Sequence, residues 1–170
     1  MGGSAGHISR AIALQVPKLS FVVQDQADVV AKGAAESGEL ASRFTFMVHD
    51  FFTPNPVKPG EANVFFLRFI LHDWPFDESV RILKNIVPSM IPNKTKIVVC
   101  DCVVPEPGEV GYMEERAFRW LDMQMMTVLN SAERTIADWQ ALFDAVGLRI
   151  VKRSKPPGSM LSLIELMLVE

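Results

Sequence analysis

His72 is the residue in this sequence best placed to do chemistry. It follows an apolar run, residues 64–71, and opens the triplet His72-Asp73-Trp74. A neutral imidazole can take a proton from a hydroxyl at neutral pH when a second group fixes its orientation. Asp101 and Glu133 are the candidate orienting acids. Their alternative readings are an exposed strand-end acid and a loop acid paired with the adjacent Arg134. A second set lies near the start, where Gly2, Gly3 and Gly6 precede a helical pattern and Asp25 ends the next apolar segment. Glycines let backbone approach a ligand closely, and a helix N-terminus offers free N–H groups. An acid at the end of the following strand is placed to accept hydrogen bonds from ribose hydroxyls. Together these admit a nucleoside ligand, whereas a glycine turn alone is equally a helix cap. Met123, Met125 and Met126 lie on an amphipathic pattern and read either as core or as a flexible apolar wall for an aromatic ligand.

Helix-like and strand-like patterns alternate around these residues. Residues 6–16 carry Ile8, Ile12 and Val16 at four-residue spacing, and Pro17 stops the pattern. Residues 19–23 read as a short strand, 28–37 as a weaker helix and 44–48 as a second strand. A proline-rich loop at 53–60 precedes a buried strand that begins at Asn63. Asp77 then caps a helix with an apolar face of Val80, Leu83, Val87 and Met90. A strand at 95–104 and a helix at 114–129 follow. Thr135 and Asp138 open another helix in a capping-box pattern, its face Trp139, Leu142, Phe143 and Val146. Strands at 148–152 and 161–169 close the chain. This order predicts a doubly wound α/β domain with a mainly parallel sheet and an antiparallel strand at the end. In such sheets ligands sit at the carboxyl ends of the strands, which is where Asp25, Asp50, His72-Asp73-Trp74 and Asp101 fall.

Composition narrows the classes. With 170 residues, 49% hydrophobic and 22% charged, the chain suits one globular domain burying roughly 70% of its unfolded surface. Seventeen basic residues are scattered among 20 acidic ones without a basic stripe, so no nucleic-acid partner is expected. No apolar run approaches the ~20 residues of a membrane span, and no secretory pattern is visible, so the expected place is the cytoplasm. Cys100 and Cys102 would share one face of an extended segment, with no second ligand pair for zinc; buried core thiols are the expectation, and no metal.

Four runs resemble one family: Gly2-Gly3-Ser4-Ala5-Gly6-His7, Phe69-Ile70-Leu71-His72-Asp73-Trp74, Asp101-Cys102-Val103-Val104-Pro105 and Asn130-Ser131-Ala132-Glu133-Arg134-Thr135. In this order they are similar to the catalytic domain of the S-adenosylmethionine (SAM)-dependent O-methyltransferases of the plant caffeic-acid type and their fungal relatives. The resemblance covers essentially the whole chain. It implies a class I methyltransferase-like Rossmann fold and SAM as cofactor, with His72 as general base and Asp101 and Glu133 holding its imidazole. Plant members usually have Glu where Asp101 stands. It further implies that Gly2, Gly3 and Gly6 form the cofactor loop, that Asp25 binds the ribose, and that Asp50 and Phe51 lie at the adenine. Arg68 stands where plant members commonly have Lys at the cofactor. Asp73, Trp74, Met123, Met126 and Asn130 are implied at the acceptor.

In that family a strand ending in an acid precedes the glycine loop and lies centrally in the sheet, after an N-terminal helical domain used for dimerisation. The expectation is therefore a single catalytic domain, 1–170, without that domain and with the first strand missing. The strands at 19–23 and 63–67 would then pair directly, accept a strand from a second copy or a partner, or remain partly unfolded. The expected activity is methyl transfer to a hydroxyl of a small aromatic or polyketide-like secondary metabolite. The alternative is a methyltransferase-like protein without methyl transfer, acting as a partner-dependent subunit or cofactor-free cyclase, or an inactive fragment. A nicotinamide dehydrogenase would also use the glycines and Asp25. It is disfavoured because the common Tyr-x-x-x-Lys pair is missing: Tyr112, the sole tyrosine, has Arg116 four residues later.

Overall fold

A computed structural model describes residues 1–36 and 38–169. They form two compact units, Met1–Thr53 and Pro54–Glu170. In the first, α1 (His7–Gln15), β1 (Phe21–Asp25), α2 (Ala27–Ala35), a 3-10 turn (Gly38–Arg43) and β2 (Phe44–Val48) follow in order. The two strands are rich in aromatic and β-branched residues, which suit a pleated surface. They pair in parallel, with Phe21 opposite Phe44 and Asp25 opposite Val48, and the Phe21 and Phe44 rings stack 5.0 Å apart. A parallel pair needs a crossover, and α2 supplies it. Gly33 brings α2 flush: a Cβ there would lie 2.5 Å from the Phe46 ring and 3.0 Å from the carbonyl of Ala5. Arg43 closes the other side, donating to the carbonyls of Ala13, Val16 and Leu19 at 2.8–2.9 Å. Its guanidinium thus satisfies the open end of α1.

The second unit holds β3 (Val64–Arg68), α3 (Phe76–Ile86), β4 (Lys96–Cys102), α4 (Tyr112–Leu129), α5 (Ile136–Asp144), β5 (Leu148–Ser154) and β6 (Leu161–Leu168). Its sheet runs β3-β4-β6-β5. β3 and β4 are parallel, and β6 pairs antiparallel with both β4 and β5. Leu67, Ile97, Val99, Ile164 and Leu166 form a fully buried sheet face, and Leu83, Trp139 and Phe143 are buried with them. The Trp139 indole N–H donates to the carbonyl of Cys102 at 2.9 Å, joining α5 to the end of β4. The capping box at Thr135 and Asp138 is formed as its spacing predicts.

The closing strand is antiparallel as expected, and β6 lies between β4 and β5 with both of its pairings antiparallel. Other expectations need correction. β1 and β3 do not pair with each other, because they belong to different sheets, and each has one strand neighbour. Pro75, not Asp77, is the N-cap of α3. That shift rotates the buried face to Ser79, Ile82, Leu83 and Ile86, leaving Val80 and Val87 half-buried. A residue-wide phase error is easy in a helix with apolar residues on adjacent stripes. The helix expected at 28–37 ends at Ala35, and Ser37 lies outside the described residues. Cys100 and Cys102 are buried free thiols as expected, and burial pushes that of Cys102 up to about 12. Among the described residues, no helix is long and apolar enough to cross a membrane.

The Arg43 contacts carry a test. Arg43→Met keeps the aliphatic stem and removes all three bonds to carbonyls, so it should lower unfolding free energy by ~2–3 kcal/mol. A urea titration followed by circular dichroism reads this; an unchanged midpoint would mean that water satisfies those carbonyls equally well.

Candidate functional site

The chain leaves β3 through Phe69, a non-glycine residue at φ 53°. Its N–H is held by the carboxylate of Asp101 at 2.9 Å. A 3-10 turn at Leu71–Asp73 then brings His72 inward until it is 6% exposed. The His72 Nδ1 lies 2.8 Å from Glu133 Oε1, and the Glu133 side chain is fully buried. A carboxylate can only accept, so Nδ1 carries the hydrogen. The other ring nitrogen, Nε2, lies 3.2 Å from Asp73 Oδ1. A carboxylate against each nitrogen stabilises the ring once it gains a second proton. Burial alone would lower the His72 pKa. The Glu133 hydrogen bond and the charges of Asp101, Glu133 and Asp73 outweigh it and hold the pKa above the usual 6.5.

Asp101 plays a different part from the one expected. It is fully buried, but it bonds the Phe69 N–H instead of the imidazole, and its Oδ2 has no partner among the described residues. Burial pushes its carboxyl up to about 7, helped by the Glu133 charge. Glu133 does not pair with Arg134. Its N–H is held by Asp122 of α4 at 2.8 Å, and its Oε2 is partnerless among the described residues. The alternative readings, an exposed Asp101 and a Glu133–Arg134 pair, give way to two buried carboxyls beside one imidazole.

In the other unit the glycine loop lies over the carboxyl end of β1. Gly3 donates to the Gln24 carbonyl at 3.1 Å, and a Cβ on Gly3 would lie 2.8 Å from Val23 Cγ1. Gly2 and Gly6 take φ 56° and 83°, the left-handed region. Asp25 accepts the Ser4 N–H at 2.7 Å and the Gln26 N–H at 2.8 Å. Each oxygen keeps a lone pair, and the residue is half exposed. Asp50 follows β2, is exposed, and accepts the Phe52 N–H. His49, beside it, has a buried Nε2 with no partner among the described residues. These acceptors suit hydroxyl and amino donors, so the residues present fit a nucleoside.

The remaining implied residues are spread out. Arg68 ends β3 with its guanidinium 4.3 Å from the centre of the Phe69 ring, and it belongs to the His72 unit, not to the glycine-loop unit. Trp74 is half-buried, and its carbonyl accepts from Arg134 and Ser79. Met123 and Met126 stand 59% and 58% exposed on α4, so the core reading fails for them. Asn130 is the left-handed C-cap of α4. Phe69, Ser79, Asp122, Ser131 and Arg134 were missed in the sequence. Phe69 had the only local signal, an aromatic residue between a strand end and the histidine; the others act through backbone groups that no spacing rule exposes.

Residues 1–149 match the O-methyltransferase domain family, and the chain belongs to that family. The O-methyltransferase aoiF of Aspergillus oryzae is 44% identical over 98% of this chain. The chain spans 40% of that relative's length. Among solved structures, the LepI complex with SAM superposes with a TM-score of 0.87 at 30% identity, covering 100% of this chain and 42% of that one. A structure described as a pericyclic reaction enzyme matches with the same TM-score, identity and coverage.

Replacing Glu133 by Gln removes the charged partner that most favours the imidazolium and leaves only Asp101 and Asp73 to oppose burial. The His72 pKa should fall from its raised value, read by NMR titration of the ring. The sign for stability follows from the raised folded value. The His72 contribution is complete below about pH 6.5 and is lost as pH rises through the folded pKa. Glu133→Gln should therefore destabilise more at pH 5.5 than at pH 8. Equal losses at both would mean that the ring is neutral in the fold.

Proposed function

We propose that this chain is the catalytic region of a SAM-dependent O-methyltransferase, with a hydroxyl of a small aromatic or polyketide-like secondary metabolite as acceptor and His72 as general base. The observation that carries the reading is the buried His72 Nδ1–Glu133 contact at 2.8 Å, which leaves Nε2 as the one ring atom able to exchange a proton with a ligand. Asp73, its side chain 40% exposed, is free to turn from Nε2 as a hydroxyl arrives. The imidazole then takes the hydroxyl proton on Nε2, and Glu133 stabilises the resulting cation. A phenol near pKa 10 is within reach of such a base at neutral pH. SAM, when bound, supplies an electrophilic methyl group. Gly2, Gly3 and Gly6 would hold its backbone-facing side, Asp25 its ribose hydroxyls, and Asp50 and Phe51 its adenine, with Arg68 a further contact. Asp73, Trp74, Met123, Met126 and Asn130 would contact the acceptor. A cytoplasmic setting suits both ligands. The unpaired edges of β1 and β3 invite a strand from a partner or a second copy.

A second reading is favoured by the likeness to the pericyclic reaction enzyme. A chain of this fold could bind the acceptor, polarise its oxygen through His72, and transfer no methyl group. Incubation with methyl-labelled SAM and a panel of catechol, resorcinol and naphthol acceptors separates the two. Labelled ether product supports methyl transfer. Bound SAM with no label transferred to any acceptor supports the second reading.

If methyl transfer holds, His72→Ala should reduce kcat by about 10²- to 10⁴-fold with SAM affinity unchanged. Undiminished turnover would remove His72 from the chemistry. Asp25→Ala should weaken SAM binding by ~10- to 100-fold, the equivalent of charge-assisted bonds worth ~1.5–3 kcal/mol, in calorimetric titration. Unchanged affinity would make Asp25 a tether for the glycine loop alone.

A further inference from the structure

Arg134 is 5% exposed and sits beside a carboxylate, yet among the described residues it forms no ion pair. Its donors go to backbone instead. Nη1 donates to the carbonyl of Leu71 at 2.7 Å. Nη2 donates to the carbonyl of Trp74 at 2.7 Å and to Ser79 Oγ at 3.2 Å. Ser131 Oγ donates to the carbonyl of His72 at 2.6 Å. Three carbonyls of the turn that carries His72 are therefore gripped by one short segment, residues 131–134. The same segment carries Glu133, the partner of the imidazole. It is itself anchored, because Val104 donates to the Arg134 carbonyl at 2.9 Å and Asp122 accepts the Glu133 N–H. The guanidinium carbon lies 5.1 Å from the centre of the Trp139 ring of α5.

Glu133 Oε2, one residue away, has no partner among the described residues, so simple charge pairing does not explain where the guanidinium points. A planar fork can bridge two carbonyls that a single ammonium cannot span. We infer that Arg134 is a positioning residue for the proposed reaction: it holds the Leu71–Trp74 turn at the height where His72 Nδ1 meets Glu133, with Ser131 as its auxiliary. The inference rests on His72 acting as the base, and the charged groups that act on that ring are Glu133, Asp101 and Asp73.

Arg134→Lys keeps the charge and loses the fork, so it changes geometry alone. It is compared with Ser131→Ala, His72→Ala and the unaltered full chain. The measurements are thermal melting, NMR titration of the His72 ring, SAM affinity, and kcat and KM with the acceptor that reports methyl transfer. In folded Arg134→Lys the His72 midpoint should move down, because a loosened Glu133 bond leaves burial to dominate. The kcat should fall about 10- to 100-fold with SAM affinity unchanged, as expected for a misplaced base. Ser131→Ala should move both in the same direction by less, and it decides the matter if the lysine variant does not fold. An unchanged His72 midpoint in a folded variant overturns the inference. So does a lowered midpoint with full kcat while His72→Ala is inactive. A lowered His72 midpoint in Arg134→Lys, with full kcat there and in His72→Ala, leaves the clamp standing and removes His72 from the reaction.

Discussion

An imidazole hydrogen-bonded at 2.8 Å to a carboxylate with no solvent exposure is an unfavourable arrangement unless its surroundings are built for it. Taking each ion out of water costs several kcal/mol, offset only by good geometry and by satisfying the remaining polar atoms. Around His72 the cationic form has Glu133 on one nitrogen and Asp73 on the other. A third anion at Asp101 would leave the cluster strongly negative, with only Arg134 as a further buried cation. Burial instead raises the Asp101 carboxyl to about 7, so near neutrality it is only partly charged. The cluster thus stays close to balance by letting one acid hold its proton.

That contact sets demands on elements far apart in sequence. β3 and β4 must be parallel and in register so that Asp101 lies level with Phe69; the pairing puts Arg68 opposite Cys100, one step earlier. Phe69 must turn the chain out of the strand, and both Asp101 Oδ1 and the Cys100 carbonyl accept its N–H. The Glu133 segment must arrive from the end of α4, which stops at Asn130 in a left-handed cap. It must also meet α5, which starts at the Thr135 capping box. The parallel bridge between Val104 and Thr135 ties this crossing to the end of β4.

What was legible in the sequence tracks locality. The strand at 44–48 and the Thr135–Asp138 box depend on neighbours one to four residues away, and both stand where their patterns put them. His72, Asp101 and Glu133 were singled out together and are brought together, because each follows a strand or precedes a capped helix. The bonding inside the cluster was not legible. Asp101 turns to a backbone N–H and Arg134 to three oxygen acceptors, and no residue type announces which backbone group will be within reach. The insertion of β6 between β4 and β5 was also hidden, since antiparallel pairing of β6 with either neighbour satisfies the same alternation.

Several of the strained and unsatisfied groups gather at the ends of strands. Phe69 holds φ 53°, a conformation costing ~1–3 kcal/mol for a bulky residue, and its ring centre lies 5.2 Å from that of His72. Asp101 Oδ2 and Glu133 Oε2 are buried without partners among the described residues. In the other unit, Ser4 holds φ 50° within the glycine loop, and the partnerless His49 Nε2 follows β2. Each lies at or near the carboxyl end of a parallel strand pair, the end at which α/β sheets take their ligands. Well-packed apolar residues in place of a buried ionic cluster are often neutral or stabilising, so stability alone does not account for Asp101, Glu133 and His72 together. A sequence that breaks local rules at those ends, while its sheet faces and helix caps obey them, has placed its unfavourable terms where binding and proton transfer would use them.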